Sequence, residues 1–220
     1  MEANVMDRTG GGAEATSAPT SEVTSEVTIQ ALTEEHLDGA REMANIFVGE
    51  RKAMCLCLRY SWCPRGAKEF NAPYLKDKED RMAATAVALK DGKVVGFIQM
   101  STANTYRTDD EKMMQSVGPK EAYIEMAAVG PDARGHGVGT KLLQWCEALA
   151  LERGCTTLTL GVVAGNPAKR LYLRYGFVDK PEGCCDHMMS LCVVTCFLGC
   201  PHWQCGGSHM VKKIGGGEAE

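Results

Sequence analysis

The chain has 220 residues, of which 45% are apolar and 24% are charged, and it carries a net charge of −4 with a pI near 5.8. This composition excludes a coiled coil, a collagen-like chain and a wholly disordered chain. The acidic balance gives no indication of electrostatic nucleic-acid binding, so no nucleic-acid partner is expected. The length predicts one large domain, or one domain with appendages.

Residues 1–26 predict a disordered acidic tail, because they are rich in Gly, Ser, Thr, Ala and Glu and poor in large apolar side chains. The tail carries a net charge of −4, as much as the whole chain, so the remainder is neutral. Residues 1–21 contain no apolar run of the kind found in secretory signals, and Glu2 excludes N-myristoylation. We therefore expect a cytoplasmic protein with mostly reduced thiols.

The first predicted strand starts at Val27, where apolar and polar residues alternate. Thr33 is expected to cap the helix that follows. Residues 45–74 predict a second helix and a loop. Further on, Asp91-Gly92 separates two runs of β-type residues, which is a strong hairpin signal. Residues 101–120 are polar and predict a long loop.

The C-terminal half predicts strands that alternate with helices. The predicted strands are 121–129, 156–163, 177–180 and 209–214, and the predicted helices are 138–152 and one that starts at the cap Asn166 and stops at Gly176. A hairpin followed by β-α-β-α-β indicates an α/β (α+β) fold, in which a mixed sheet is flanked by helices on both faces.

A glycine-rich loop precedes the helix 138–152 and reads Arg134-Gly135-His136-Gly137-Val138-Gly139-Thr140. Glycines let backbone N–H groups approach a phosphate, and a helix N-terminus adds positive potential. Thr140 breaks the dinucleotide-binding fingerprint, and His136 after Gly135 breaks the Walker A pattern. The pattern that fits is R-x-x-G-x-G, and taken alone it is also compatible with a turn that binds nothing.

Two flanking segments extend this pattern, namely YIEMAAV at 123–129 and NPAKRLYLRYGF at 166–177. Together with the loop, they make the chain resemble the GNAT superfamily of acyl-CoA-dependent N-acyltransferases. The resemblance covers 27–177 and the last strand. It implies the GNAT fold, a mixed six- to seven-stranded sheet with acyl-CoA in a split between the fourth and fifth strands. The expected GNAT domain is 27–214, followed by a flexible C-terminus, 215–220.

The resemblance assigns the cofactor contacts. The CoA pyrophosphate would be bound by the backbone of Arg134, Gly135, His136, Gly137, Val138, Gly139 and Thr140. The pantetheine amides would pair with Ala127, Ala128 and Val129, and the amide of Ala128 would polarise the thioester carbonyl. Asn166 would contact the cofactor near its reactive end, serve as a plain helix cap, or do both. Three cations, Lys141, Lys169 and Arg170, are either adenosine-phosphate contacts or solvated helix charges.

Two residues are the catalytic candidates. Tyr172 matches the family tyrosine that protonates the departing CoA thiolate, and the alternative is an aromatic ring packed on the sheet. Glu125 is the candidate general base for the acceptor amine, and the alternative is a structural or substrate-orienting carboxylate. Strand alternation predicts Tyr123, Glu125 and Ala127 on one face.

The cysteine-rich segment 183–207 departs from the family pattern and is expected as an insert before the last strand. Three interpretations compete: apolar cysteines packed over the sheet edge, palmitoylated cysteines that attach the protein peripherally to a membrane, and a zinc site. The segment lacks a clean pair of C-x-x-C motifs, so no metal ligand is assigned.

The sequence therefore predicts an N-acetyltransferase that uses acetyl-CoA as cosubstrate and a primary amine as acceptor. The amine would attack directly in a ternary complex, without a cysteine nucleophile. The acceptor remains open between a small amine, a protein N-terminus and a lysine side chain. Alternatives are a non-catalytic acyl-CoA-binding domain and a membrane-attached or zinc-binding module that acts through its cysteines.

Overall fold

The computed structural model describes residues 26–48, 79–107, 112, 115–163, 165–180 and 207–215. The strands are β1 (Thr28–Ala31), β2 (Thr85–Lys90), β3 (Lys93–Thr102), β4 (Glu121–Val129), β5 (Thr157–Val163), β6 (Val178–Asp179) and β7 (Gly207–Lys213). The α-helices are α1 (Leu37–Val48), α2 (Glu79–Ala83), α3 (Val138–Glu152) and α4 (Lys169–Arg174), and the 3-10 turns are Glu34–His36 and Pro131–Ala133.

The seven strands form one mixed sheet in the order β1-β2-β3-β4-β5-β7-β6. The pair β4–β5 is parallel and all other neighbouring pairs are antiparallel. The predicted fold class, a mixed sheet flanked by helices, is therefore confirmed. The cysteine-rich insert and most of both terminal segments lie outside the described residues.

Several local predictions are confirmed by the backbone. β4 and α3 begin and end at the predicted residues. Asp91 and Gly92 have φ values of 51° and 75°, the left-handed conformation that a tight hairpin turn requires at both positions.

The expected helix cap at Thr33 differs from the structure. Thr33 precedes a 3-10 turn rather than an α-helix, and its side chain makes no capping hydrogen bond.

The short helix α2 was not predicted. It is five residues long, which is too short to show a helical repeat of apolar residues. The helix expected within 45–74 lies outside the described residues, apart from the end of α1.

Each face of the sheet has its own hydrophobic cluster. On one face, α1 packs on β3 and β4 and buries Ala40, Val87 and Phe97. We call this the α1 face. The opposite face, the α3 face, carries α3 and α4 and buries a larger cluster that includes Leu142 and Phe177. Among the described helices, none combines the length and the apolar character needed to cross a bilayer.

Candidate active site

The parallel strands β4 and β5 diverge after a short contact. They share four register pairs, from Glu121↔Thr157 to Ile124↔Leu160. β5 then continues along β7 to Val163, whereas β4 continues along β3 to Val129. The edge of β4 that faces the split is therefore unpaired with β5 from 125 to 129, over about 13 Å for four residue steps. A free strand edge offers backbone N–H and C=O groups to an extended ligand.

A β-bulge lies at the apex of this split. Gln99 pairs with Met126, but the next residue of β3, Met100, pairs with Ile124, so Glu125 is the extra residue of β4. A bulge reverses the alternation of side chains along its strand. Before the bulge, Ile124 belongs to the α3-face cluster, and after it Ala127 packs against that same cluster.

The expectation that Tyr123, Glu125 and Ala127 share one face is therefore wrong. Tyr123 pairs with Ser101, whose hydroxyl donates to Glu125, and these three side chains lie on the α1 face. Ala127 lies on the α3 face instead. The physical reason is the inserted residue, because strict alternation assumes one residue per step on both strands.

The glycine-rich loop presents a helix N-terminus to the open end of the split. Gly135 and Gly137 have φ values of 81° and 77°, which strongly favour glycine. No side chain caps α3, and its first helical hydrogen bond runs from Lys141 N–H to the Gly137 carbonyl at 3.0 Å. The amides 138–140 consequently have no intrahelical acceptor, which is the arrangement that suits an anionic group.

Packing fixes the loop relative to the neighbouring elements. A Cβ atom at Gly139 would lie 2.8 Å from Leu171 Cδ2, so glycine allows α3 and α4 to approach closely. The Nε of Arg134 donates to the Val129 carbonyl at 3.0 Å, which ties the loop to the end of β4.

Asn166 caps the turn before α4. Its Oδ1 accepts from the Ala168 N–H at 2.9 Å, as an N-cap side chain does. The assigned α-helix begins later than expected, at Lys169, because the first turn has 3-10 hydrogen bonds such as Arg170 N–H to Pro167 carbonyl.

Two of the three candidate phosphate-binding cations contact other groups of the protein. The Nζ of Lys141 donates to the Val27 carbonyl at 3.0 Å. The Nζ of Lys169 lies 2.7 Å from Oδ1 of Asp179 and 2.9 Å from Oγ of Ser208. Arg170 is exposed and makes no such contact with the described part of the chain.

Glu125 is the centre of a buried polar cluster on the α1 face. Arg81 Nη2 donates to its Oε2 at 3.0 Å, and Arg107 Nε donates to its Oε1 at 3.2 Å. Ser101 also donates to Oε1. The Glu125 side chain is 11% exposed, and those of Arg81 and Arg107 are 3% and 6% exposed. The Glu125 carboxylate thus accepts hydrogen bonds from three donors and has about four acceptor positions.

Tyr172 lies in the α3-face cluster, with its ring edge-on to Phe177 at a centroid distance of 6.0 Å. Burial raises the pKa of Tyr172, so the phenol keeps its proton at neutral pH. Its hydroxyl makes no hydrogen bond with the described residues and is not fully enclosed. A protonated, unpartnered hydroxyl can donate to a ligand.

Tyr123 stands at the apex on the opposite face. Burial is the largest cause that raises the pKa of Tyr123 to about 12, and the negative charge of Glu125 adds to it. A Cβ atom built on Gly161 of β5 would lie 3.2 Å from the Tyr123 hydroxyl oxygen. The phenol therefore reaches across from β4 to β5 where the pairing ends.

A family model described as "Acetyltransferase (GNAT) family" matches residues 50–177. The chain belongs to the GNAT family. The match begins later than the expected domain start at 27, although β1 and α1 complete the same sheet and core.

Individual relatives agree with this assignment at the level of the fold. Over 64 residues, the chain is 36% identical to thialysine N-epsilon-acetyltransferase of Bos taurus. This match covers 29% of this chain and 38% of that protein. It is similar to yncA of Salmonella typhimurium, solved with acetyl-CoA, with a TM-score of 0.57 and 18% identity over 88% of this chain and 96% of that one. The ribosomal-protein-S18-alanine N-acetyltransferase of Escherichia coli gives a TM-score of 0.54 and 20% identity over 88% and 97%.

The predicted residues of β4 and of the glycine-rich loop lie in sequence along the open side of the β4–β5 split. The unpaired edge of β4 contains Ala127, Ala128 and Val129, and it leads into the loop 134–140. Glu125 lies at the apex on the α1 face, whereas Tyr172 belongs to the α3-face cluster.

Sequence reasoning missed the partners of Glu125. Arg81, Ser101 and Arg107 come from α2, from β3 and from the segment after β3, and no local motif marks them. Within the described ranges, no three His, Cys, Asp or Glu side chains are grouped to bind a metal ion, and the cysteine-rich segment lies outside those ranges.

Proposed function

We propose that this protein is an N-acetyltransferase that moves the acetyl group of acetyl-CoA to a primary amine. The single observation that carries the proposal is the split of β4 from β5, with a free strand edge at 125–129 that leads into the uncapped N-terminus of α3. The strand edge suits the pantetheine arm of CoA, and the helix N-terminus suits its pyrophosphate. The pantetheine arm contains amides that can pair with a strand edge, and the pyrophosphate is an anion suited to a helix N-terminus.

The acetyl group would lie at the apex of the split, beside the bulge at Glu125. With the pyrophosphate at the loop 134–140, the pantetheine arm runs back along β4 from Val129 towards Glu125. The hydrogen bond from the Gly130 N–H to the Val95 carbonyl sets the alternation of the β3–β4 ladder, so the amides of Ala127 and Val129 face the open edge and that of Ala128 faces β3. A donor on the open edge would pair with the pantetheine or stabilise the developing oxyanion of the thioester carbonyl.

Direct transfer requires two proton movements. As the amine nitrogen bonds to the carbonyl carbon, the C–S bond breaks and the sulfur leaves as a thiolate. Tyr172 donates its proton to that thiolate, and its raised pKa keeps the proton available at neutral pH. A thiolate that takes up a proton is prevented from attacking the new amide.

Glu125 accepts the proton that the attacking amine must lose, through a water molecule at its remaining acceptor position. The competing role is positional, since its ion pairs with Arg81 and Arg107 also hold the bulge in place. The two roles differ in pH dependence. Loss of a base removes the acidic limb of the kcat profile, whereas loss of a positioning group lowers kcat at every pH.

The acceptor is proposed only as a primary amine. The bovine relative is named for acetylation of the ε-amine of thialysine, and this chain spans 38% of that protein's length. Thialysine is therefore the first acceptor to test, with a peptide N-terminus and a lysine-containing peptide as the other two classes.

Binding and turnover test the proposal separately. We expect acetyl-CoA and CoA to raise the melting temperature, and ATP and NAD to leave it unchanged, because a ligand at about 100 times its Kd stabilises by about 2.7 kcal/mol. Free thiol release with an amine acceptor then measures transfer. Binding without turnover of any amine class would favour a non-catalytic acyl-CoA-binding domain. No shift with either CoA species would refute the proposal.

A further inference from the structure

The apex of the split is closed in three directions around the expected position of the acyl group. Within the plane of the sheet, the backbones of Ile124 and Leu160 form the last register pair of β4 and β5. Towards the α3 face, the side chains of these two residues and of Tyr172 are packed in the core, at 4%, 1% and 9% exposure. An acyl chain cannot lengthen in either direction without breaking a strand pair or displacing core side chains.

The third direction leads to the α1 face, where, among the described residues, one side chain extends over β5 beside the apex. Gly161 follows Leu160 on β5, is exposed, and points to the α1 face. A glycine inside a strand often marks a place where another group approaches closely. Here that group is the Tyr123 phenol, whose oxygen would lie 3.2 Å from a Cβ at Gly161.

The phenol is held in this position by its surroundings. Tyr123 is paired with Ser101 on β3 and with Thr159 on β5, so its backbone is fixed on both sides. The Gly161 backbone lies beside the phenol, and the charged groups around the phenol are Glu121, Glu125 and Arg107. The half-buried ring is therefore attached to a backbone that is paired with both neighbouring strands.

We propose that Tyr123, which lies over Gly161, makes the site prefer acetyl to longer acyl groups, because a longer acyl chain would collide with its ring. The inference rests on the proposed function, because it requires acyl-CoA to lie in the split with its thioester at the apex. It adds a specificity-determining residue that is separate from the proton-transfer residues Glu125 and Tyr172.

The test is a comparison of binding affinities and needs no acceptor. Dissociation constants are measured by calorimetry for CoA, acetyl-CoA, propionyl-CoA and butyryl-CoA with the full chain. We expect butyryl-CoA to bind about tenfold more weakly than acetyl-CoA to the native protein, a difference of about 1.4 kcal/mol. Tyr123→Ala should bring the ratio of the two constants close to one.

Two further variants separate size from other effects. Tyr123→Phe keeps the ring and should keep the tenfold ratio, whereas Tyr123→Leu shortens the side chain without removing its apolar body and should lower the ratio. Tyr123→Leu also replaces Tyr123→Ala if the alanine variant does not fold.

The failures are distinguishable. If the native protein binds butyryl-CoA as tightly as acetyl-CoA, or if both shortened variants keep the native ratio, Tyr123 is not the limit and the inference is wrong, while the proposed function stands. If no CoA species binds, the proposed function and the inference fail together.

Discussion

Arg81 and Glu125 are 44 residues apart in the sequence, yet the guanidinium of Arg81 donates a 3.0 Å hydrogen bond to the carboxylate of Glu125. The contact joins α2 to the bulge of β4, and both side chains are largely buried, at 3% and 11% exposure. Because Arg107 binds the other carboxylate oxygen, Glu125 balances charge on two buried guanidinium groups. The residue proposed to act in proton transfer is thus also part of the framework that shapes the cleft.

Glu125→Gln should reduce the free energy of unfolding by about 3 kcal/mol, because removal of one partner leaves buried charge uncompensated. Urea unfolding measures this loss. Glu152→Gln is the control, since Glu152 is an exposed carboxylate at the end of α3. An equal and small change in both variants would mean that the Glu125 ion pairs contribute little to stability.

Tyr172→Phe should lower kcat by about 100-fold while leaving KM for acetyl-CoA similar, because it removes the proposed proton donor and keeps the ring. Tyr175→Phe is the matched control three residues away. The Tyr175 hydroxyl donates to Glu147 at 2.6 Å, so its loss should affect stability rather than kcat. Steady-state kinetics with an identified acceptor provides the comparison, and equal kcat values for the two variants would exclude Tyr172 as the acid.

Gly137→Ala should weaken acetyl-CoA binding by about tenfold, because a strained loop misdirects the amides at the N-terminus of α3. Gly154→Ala is a close control. Both glycines have positive φ values, 77° and 74°, and a Cβ atom at either would meet no neighbour within 4 Å. The strain cost should therefore be similar, about 1–2 kcal/mol in each variant. Calorimetry and urea unfolding separate the effects: if Gly154→Ala weakens binding as much, the loop has no specific role.

Glu147 should make stability depend on pH in the acidic range. Burial alone would raise the pKa of Glu147, but hydrogen bonds from Lys212 and Tyr175 outweigh it and hold the pKa below its ordinary value. The unfolded chain then binds more protons, so this contribution is complete above the unfolded pKa of about 4.3 and is lost as the pH falls through the folded value.

Urea unfolding at neutral pH and below pH of about 4 tests this dependence. Glu147→Gln should be less stable than the native protein at neutral pH, and the difference should shrink in acid. A constant difference at both pH values would show that the Glu147 carboxylate is not the titrating group.

The elements that the sequence predicted well are those with local signals. Asp91-Gly92 defines a turn by its own backbone preference, and the bounds of α3 follow from Gly137 before it and Gly154 after it. The glycine-rich loop was recognised for the same reason, because its conformation depends on residues within the loop.

The features that escaped prediction depend on distant partners. The bulge at Glu125 arises from a mismatch between β3 and β4, and a single strand cannot reveal how its neighbour is paired. Arg81 lies on a five-residue helix, which is too short to show a periodic pattern of apolar residues in the sequence. The reversal of side-chain direction after Glu125 follows from that same mismatch.

The four register pairs between β4 and β5 are the backbone seam between two half-sheets, one formed by β1 to β4 and the other by β5, β7 and β6. A cofactor arm paired along 125–129 would add hydrogen bonds next to these four register pairs. Ligand binding would then stabilise the two half-sheets relative to each other as well as fill a site. Amide protons of β5 and β7 should then exchange more slowly in the bound protein, even where they make no contact with the cofactor. In this fold, the bound cofactor would take the place of the missing strand pairing between β4 and β5 for the length of one turnover.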